Sequence, residues 1–328
     1  MRMSKFLACQ HIDKSIRQSS ASGAVFPALA ENVLSEGGIV YGAAFSADFK
    51  SVEHVKAENL EALNRLKGPK YIQSNLNGIP QDVKRNLDDG RNVLFTGTPC
   101  QIAGLKSYLK CEYDNLFCMD IICHGVADKK IYLYYLSYLE RRFSSKLTFV
   151  SFRDKTKSWR QSDVILRFEN GNKLIERGMN NSFMRGFISN LFIRESCTRC
   201  RFKGFTSGSD LTIGDFWGSS EIADYAKDDT GVSVVAIHTP KGMALFDQAK
   251  HRLFNIKELT EKEAFIFNES YRDCAKLHTK KAEFYARYEN DDFDSLVDEL
   301  LFVIKRKDNI LKRITITLKN IIRRNALS

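Results

Sequence analysis

Val93-Leu94-Phe95-Thr96-Gly97-Thr98-Pro99-Cys100-Gln101-Ile102-Ala103-Gly104-Leu105 is the stretch that decides how this chain folds. Val93-Leu94-Phe95 reads as a short buried strand, Gly97-Thr98-Pro99 as a tight loop, and Ile102 to Leu109 as a helix. Upstream, Pro80 to Asp89 reads as a helix that Gly90 ends. Downstream, Leu116 to Ile122 reads as a strand that runs into Cys123-His124-Gly125. Helix, strand, helix, strand predicts α/β layering around a partly parallel sheet. Loops at the C-terminal ends of such strands are where ligands bind.

Working outward, Ser19-Ser20-Ala21-Ser22-Gly23 is a loop of small residues. Val25 to Ser35 suits a helix stopped by Gly37-Gly38, and Ile39 to Phe45 reads as a buried strand. Glu58 to Leu66 predicts a short helix, and Lys70 to Ser74 another strand. Leu147 to Arg153 and Val164 to Phe168 predict antiparallel strands, with Asn170-Gly171 turning the chain into Lys173-Leu174-Ile175. Met184 to Arg194 reads as a helix, Leu211 to Ile213 as a short strand ending at Gly214-Asp215-Phe216-Trp217-Gly218, and Val232 to His238 as a buried strand. After Gly242 neither Gly nor Pro occurs, which predicts a mostly helical C-terminal region. The expected fold is therefore α/β (α+β): a mixed sheet core with flanking helices, inserted antiparallel hairpins and a helical end. Residues 1–240 form one expected unit and 241–328 another.

The chain has 328 residues and a net charge of +10. Between Leu301 and Ser328 eight Lys or Arg face one acid, Asp308, so this segment carries +7 and leaves +3 for the rest. That distribution argues against a nucleic-acid surface on the body. Leu300 to Ile304 is far too short to span a bilayer. The first residues lack the apolar stretch of a secretory signal, which predicts a cytoplasmic protein with reduced thiols. Leu311, Ile314, Leu318, Ile321 and Ile322 fall on one face of a basic helix. Residues 305–324 are accordingly a candidate for peripheral contact with an anionic membrane, or for docking on a partner.

Four cysteines stand out. Cys197 and Cys200 form a Cys-x-x-Cys pair, and Cys100 and Cys123 each sit in a loop after an apolar strand. A pair on one turn with two further thiols would complete four ligands, the usual set for a 4Fe-4S cluster or a structural zinc. The alternative is that Cys100 and Cys123 are small buried apolar residues. A third reading makes Cys100 a nucleophile at a helix N-terminus. Cys9, Cys111, Cys118 and Cys274 read as ordinary small residues.

These stretches together resemble the coenzyme F-420 hydrogenase/dehydrogenase beta-subunit family, to which 7-hydroxymethyl chlorophyll a reductase is related. The matching segments run in family order over roughly residues 10–240. They are Ser19-Ser20-Ala21-Ser22-Gly23-Ala24, Gly37-Gly38-Ile39-Val40-Tyr41-Gly42-Ala43 and Lys70-Tyr71-Ile72-Gln73-Ser74. Then follow Phe95 to Leu105, Asp120-Ile121-Ile122-Cys123-His124-Gly125-Val126, Arg194-Glu195-Ser196-Cys197-Thr198-Arg199-Cys200 and Ser209 to Gly218. The resemblance implies a flavin- and iron-sulfur-dependent oxidoreductase holding FAD beside a 4Fe-4S cluster. Cys100, Cys123, Cys197 and Cys200 would ligate the cluster. Ser19, Ser20, Ser22, Gly23, Tyr41, Gly42, Lys70, Gln73, Ser74, Thr96, Gly97 and Thr98 would contact the flavin. It also implies electron exchange with a ferredoxin-like partner, a small-molecule or sugar- or lipid-linked substrate, and a setting in surface polysaccharide biosynthesis as readily as in a methanogen.

Only Cys9 precedes the serine loop, so the expected form is one lacking the N-terminal ferredoxin domain of some relatives. Relatives often read Ser-Ser-Ser-Gly-Gly where this chain has Ala21 and Ala24. The first change removes a hydroxyl and the second adds a methyl near a close backbone approach. The rival reading from another class is a zinc-binding scaffold, without enzymatic activity, that docks a polysaccharide-synthesis complex at the membrane.

His124 and Asp215 are the candidate catalytic residues. His124 could relay protons, or cap its loop. Asp215 could orient the flavin, or bond its own turn. Trp159-Arg160 could stack on a ring or hold an anion.

Overall fold

The computed structural model describes residues 4–222 and 228–301. The chain opens with β1 (Lys5–His11), α1 (Lys14–Gln18), α2 (Val25–Ser35), β2 (Ile39–Phe45), β3 (Val52–Ala57), α3 (Leu60–Asn64) and α4 (Ile79–Asp88). It continues through β4 (Val93–Gly97), α5 (Pro99–Leu109), β5 (Leu116–Ile121), α6 (Lys129–Phe143), β6 (Leu147–Asp154), β7 (Asp163–Phe168) and β8 (Lys173–Arg177). Then come α7 (Ser182–Ile188), β9 (Leu211–Asp215), α8 (Ser219–Ile222), β10 (Ser233–Ile237), α9 (Pro240–Ala249), β11 (Leu253–Leu259), α10 (Glu261–Ala264) and α11 (Lys281–Arg287). A last helix covers 293–301.

Eight strands form one mixed sheet in the order β11-β1-β10-β9-β5-β4-β2-β3, and β6-β7-β8 form a second, antiparallel sheet. The fold is α/β, as expected. β2, β4, β5 and β9 run parallel to one another, and β10 lies antiparallel to both β9 and β1. β1 therefore points the same way as β9. The C-terminal ends of β1, β2, β4, β5 and β9 share one edge, and the N-terminus of β10 lies there too, with Ser233 paired to Asp215.

Local chemistry explains the deciding stretch. Pro99 occupies the first turn of α5, where its missing N–H is harmless, and the Gln101 side chain reaches back to accept the Thr98 N–H at 3.0 Å. Val93, Leu94 and Phe95 are wholly buried, Phe95 beneath α5 and α4 with Ile102, Leu105 and Val83, and Leu94 on the opposite face of the sheet with Val33 and Val40. A second core joins α6, the small sheet, α7 and the C-terminal helices around Tyr132, Phe152, Phe183 and Phe293.

Three local expectations differ from the structure, and two strands were not expected at all. Residues 70–74 form no strand. Ile72 makes a single parallel bridge to Ala127, too short a pairing to form a strand. The helix expected over 184–194 ends at Ile188, and Asn190 turns the chain with φ +63°. Within the expected helical end, 253–259 form β11, which pairs with the unforeseen β1 and closes the sheet. β3 was likewise not foreseen. The peripheral contact expected for 305–324 lies outside the described residues. Among the described residues no helix is long and apolar enough to cross a membrane.

Candidate functional site

The shared edge gathers most of the residues singled out in the sequence. β4 delivers Gly97, Thr98 and Cys100; β5 delivers Cys123 and His124; β9 delivers Asp215 and Trp217. The loop after α1 brings Ser22 and Gly23 against β10, where Ser22 Oγ donates to Val232 O at 2.7 Å. A Cβ on Gly23 would lie 2.5 Å from Ser233 N and 2.7 Å from Cys9 O, so only glycine fits there.

The four cysteines converge from three loops. Cys197 sits in a 3₁₀ turn, Glu195–Arg199, and Cys200 caps it. This turn is tied to the Cys123 loop, since Arg194 N donates to Val126 O at 2.9 Å and Ile193 bridges Ala127. A Cβ on Gly125 would lie 3.2 Å from Cys197 Cβ. Burial pushes the Cys123 thiol up to about 12. The Lys203 ammonium opposes that rise, and the nearby Cys100, Cys197 and Cys200 add to it. Cys197 is raised by burial too, with Cys100 and Cys200 contributing. Among the described residues, however, no three His, Cys, Asp or Glu side chains stand close enough to enclose a metal ion. Cys100 Sγ is 3.1 Å from Thr98 Oγ1, and Cys274 Sγ donates to Cys200 O at 3.4 Å.

Beside Cys100 a buried network joins several expected flavin contacts. His54 Nε2 lies 2.8 Å from Thr96 O, which can only accept, so Nε2 carries the proton and Nδ1 accepts from Ser74 Oγ at 2.8 Å. Burial pushes the His54 pKa down to about 4, so the ring is neutral. Gln101 Nε2 donates to Ser74 Oγ at 2.8 Å, while Gln101 Oε1 accepts from Thr98. Gln73, on the exposed side, pairs with Arg194. His54 escaped the sequence reading because its strand did; the alternation in Val52-Glu53-His54-Val55 was the available signal.

Other expected contacts are engaged elsewhere. The Tyr41 hydroxyl donates to Asp82 at 2.7 Å inside the core, and Gly42 packs under Thr96. Lys70 Nζ caps α3 through the carbonyls of Arg65, Leu66 and Lys67. Ser19 Oγ donates to Ile16 O. Ser20 Oγ is buried and has no hydrogen-bond partner among the described residues. α2, which starts just after this loop, has no side-chain cap and no acid in its first turn, so its N-terminal N–H groups favour an anion.

His124 Nε2 lies 2.7 Å from Asn190 Oδ1, and its ring meets Phe187 edge-on at 5.3 Å. Burial lowers its pKa, which keeps the imidazole neutral near pH 7. Asp215 accepts from Arg153 Nη1 at 2.6 Å and from Trp159 Nε1 at 3.1 Å. Trp159 stacks on Trp217 at 5.1 Å and 6°, and Arg153 lies over Trp217. Trp217 is 38% exposed, the open end of this stack. Lys155 Nζ, buried, donates to Ser22 O at 2.7 Å and Thr230 O at 2.6 Å, which clamps the serine loop to the second sheet.

Among curated proteins no sequence matches this chain. A solved structure of the F420-reducing [NiFe] hydrogenase complex from Methanosarcina barkeri contains a chain of similar fold. The TM-score is 0.51 and the identity 16%, over 95% of this chain and 92% of that one. The family described as the C terminus of the coenzyme F420 hydrogenase/dehydrogenase beta subunit matches residues 90–262, more than half of the chain. That span carries all four cysteines with His124 and Asp215, and through it the protein belongs to the coenzyme F420 hydrogenase/dehydrogenase beta-subunit family.

Proposed function

We propose that this chain is a FAD- and 4Fe-4S-dependent oxidoreductase that moves electrons between a ferredoxin-like protein and an organic substrate. The observation that carries the reading is the convergence of the Cys100, Cys123 and Cys197–Cys200 loops at the edge that also holds the serine loop: Val126 and Ala127 tie the second loop to the third, and Pro99 and Cys123 share one cavity wall. A donor set of four sulfurs, with neither carboxylate nor imidazole, suits an iron-sulfur cluster or zinc. A family of hydrogenases and dehydrogenases favours the cluster. Cys100 lies in the first turn of α5, an eleven-residue helix that starts at the same edge.

The serine loop fits a flavin pyrophosphate on two grounds: the uncapped start of α2 and the orphaned Ser20 hydroxyl. Gly97, Thr98, Gln73 and Ser74 would lie along the ring. Flavin supplies two-electron chemistry and the cluster one-electron chemistry, so a site with both joins the two kinds of transfer. His124, neutral and held by Asn190, would hold or pass a proton at Nδ1. Asp215 would fix Arg153 and the Trp159–Trp217 stack beside the substrate.

The test is flavin, iron, sulfide and zinc analysis of protein purified without oxygen. One flavin and about four irons per chain are expected. Zinc without flavin would sink this reading in favour of a scaffold.

A further inference from the structure

A small cavity of about 20 Å³ lies between β5, β9 and the loop after Cys200. Asp120, Cys123, Lys203, Thr212 and Tyr271 are on its wall. It has room for roughly one water molecule. Asp120, only 1% exposed, does not face solvent directly. Its Oδ2 accepts from Ser207 Oγ at 2.6 Å, and its Oδ1 from Thr212 Oγ1. Thr212 Oγ1 is also 2.8 Å from His238 Nε2, and His238 Nδ1 is 2.8 Å from Oγ of the half-buried Ser4 at the start of the chain's described residues.

We propose that Asp120, Thr212, His238 and Ser4 form a proton relay between the surface beside β1 and the cavity next to Cys123. The chemistry of each member permits two polarities. With Asp120 ionised, Thr212 donates to Asp120, His238 donates from Nε2, and Ser4 donates to Nδ1. With Asp120 protonated, every bond reverses: Asp120 donates to Thr212, Thr212 to Nε2, and Nδ1–H to Ser4. One proton taken up at Ser4 thus appears on Asp120, while Thr212, His238 and Ser4 end with the number they began with. A hydroxyl and a neutral imidazole can each donate and accept at once, so either can pass a proton on.

The relay rests on the redox reading for its purpose. An electron delivered by a one-electron carrier protein to a buried centre at Cys123 adds charge in a low-dielectric place, where it interacts strongly. One proton from solvent onto Asp120 would offset it. Among the described residues, the titratable and charged groups around the relay include Lys203, Cys123 and Tyr271 on the cavity wall, Cys118 within β5, and Asp210, Lys106 and Lys241 around Cys118. Phe205 covers the His238 ring at 4.8 Å. Burial raises the Asp120 pKa to about 6, against the lowering effect of the Ser207, Thr212 and Ser209 hydroxyls. A group at that value can exchange protons near neutrality.

The test uses the full chain without added cofactor. Histidine labelled with nitrogen-15 reports the His238 tautomer by NMR, and infrared difference spectra report the Asp120 carboxyl, identified by its loss in Asp120→Asn. The relay predicts that His238 passes from Nδ1–H to Nε2–H as pH rises through roughly 5 to 7, with the midpoint of the carboxyl. In Thr212→Val, close in shape to the native residue, the carboxyl still titrates but the tautomer no longer follows. A His238 that keeps one tautomer, charges to imidazolium at that pH, or follows Asp120 in Thr212→Val overturns the proposal. If Thr212→Val does not fold, His238→Gln replaces it. A carboxyl midpoint unmoved by His238→Gln then counts against the relay, and a shifted one for it. A protein that takes up no redox group would end the reading above, whereas this measurement, made without that group, still decides the relay.

Discussion

Replacing Asp215 with Asn is expected to destabilise the fold by about 3–5 kcal/mol, the range for removing one partner of a buried ion pair. The reasoning starts from the side chains of Arg153 and Asp215, 10% and 17% exposed and 2.6 Å apart, so solvent screens little of their attraction. Burial alone would pull the Arg153 pKa down. The Asp215 carboxylate and Tyr71 more than offset it, so the guanidinium keeps its charge. An amide at 215 could still accept the Trp159 N–H but would leave that charge uncompensated. An exposed pair would contribute only about 0.2–1 kcal/mol, which separates the two cases. Urea unfolding gives the loss. Fluorescence follows it, because Trp159 and Trp217 are the chain's two tryptophans and both sit at this site. Arg153→Met with Asp215→Asn removes both charges and should cost about 1–3 kcal/mol less than the sum of the single changes. Additive losses, or a loss for Asp215→Asn below about 1 kcal/mol, would refute the claim that this pair anchors the second sheet over the site.

Two further outcomes follow from the serine loop. Gly23→Ala should lower stability by about 1–3 kcal/mol in a denaturant titration, since the added methyl meets the backbone of both β1 and β10. A neutral result would mean that those backbones yield freely. Burial lowers the Lys155 pKa to about 7, well below the ordinary value near 10.4. Between those values the unfolded chain binds more protons than the folded one, so stability should rise with pH from about 7 towards 10. Lys70 is lowered to about 7 in the same way, so Lys155→Met should reduce that slope without abolishing it. An unchanged slope across urea midpoints at pH 7, 8 and 9 would contradict this placement of Lys155.

The sheet's parallel centre was legible because β2 and β4 are largely apolar runs that follow glycine-containing turns, and β5 is apolar from Leu116 to Met119, the pattern of strands covered on both faces. β1 and β11 were not. Lys5-Phe6-Leu7-Ala8-Cys9 resembles a frayed terminus until β10 and β11 flank it, and β11 carries Asn255 and Lys257 at the sheet's edge, where polar residues are tolerated. At the site, the cysteine loops could be read from their spacing and order. Tyr41 and Lys70 show what order alone leaves out: the former points into the α4 side of the sheet and the latter ends α3. Whether a polar side chain faces a ligand or a helix end depends on strand facing and loop path, and no local pattern near 41 or 70 records either. Ala24 has φ +67°, the left-handed conformation that favours glycine, so the loop holds an alanine there at some strain.

The central claim is that four particular thiols form one centre. The most direct measurement is iron and acid-labile sulfide per chain, after oxygen-free reconstitution, in Cys100→Ala, Cys123→Ala, Cys197→Ala and Cys200→Ala, with Cys111→Ala and Cys274→Ala as controls. The account predicts about four irons in the wild type and both controls, and a marked loss in each of the four variants. Full iron content in Cys123→Ala, or loss in Cys274→Ala equal to that in the four, would contradict it.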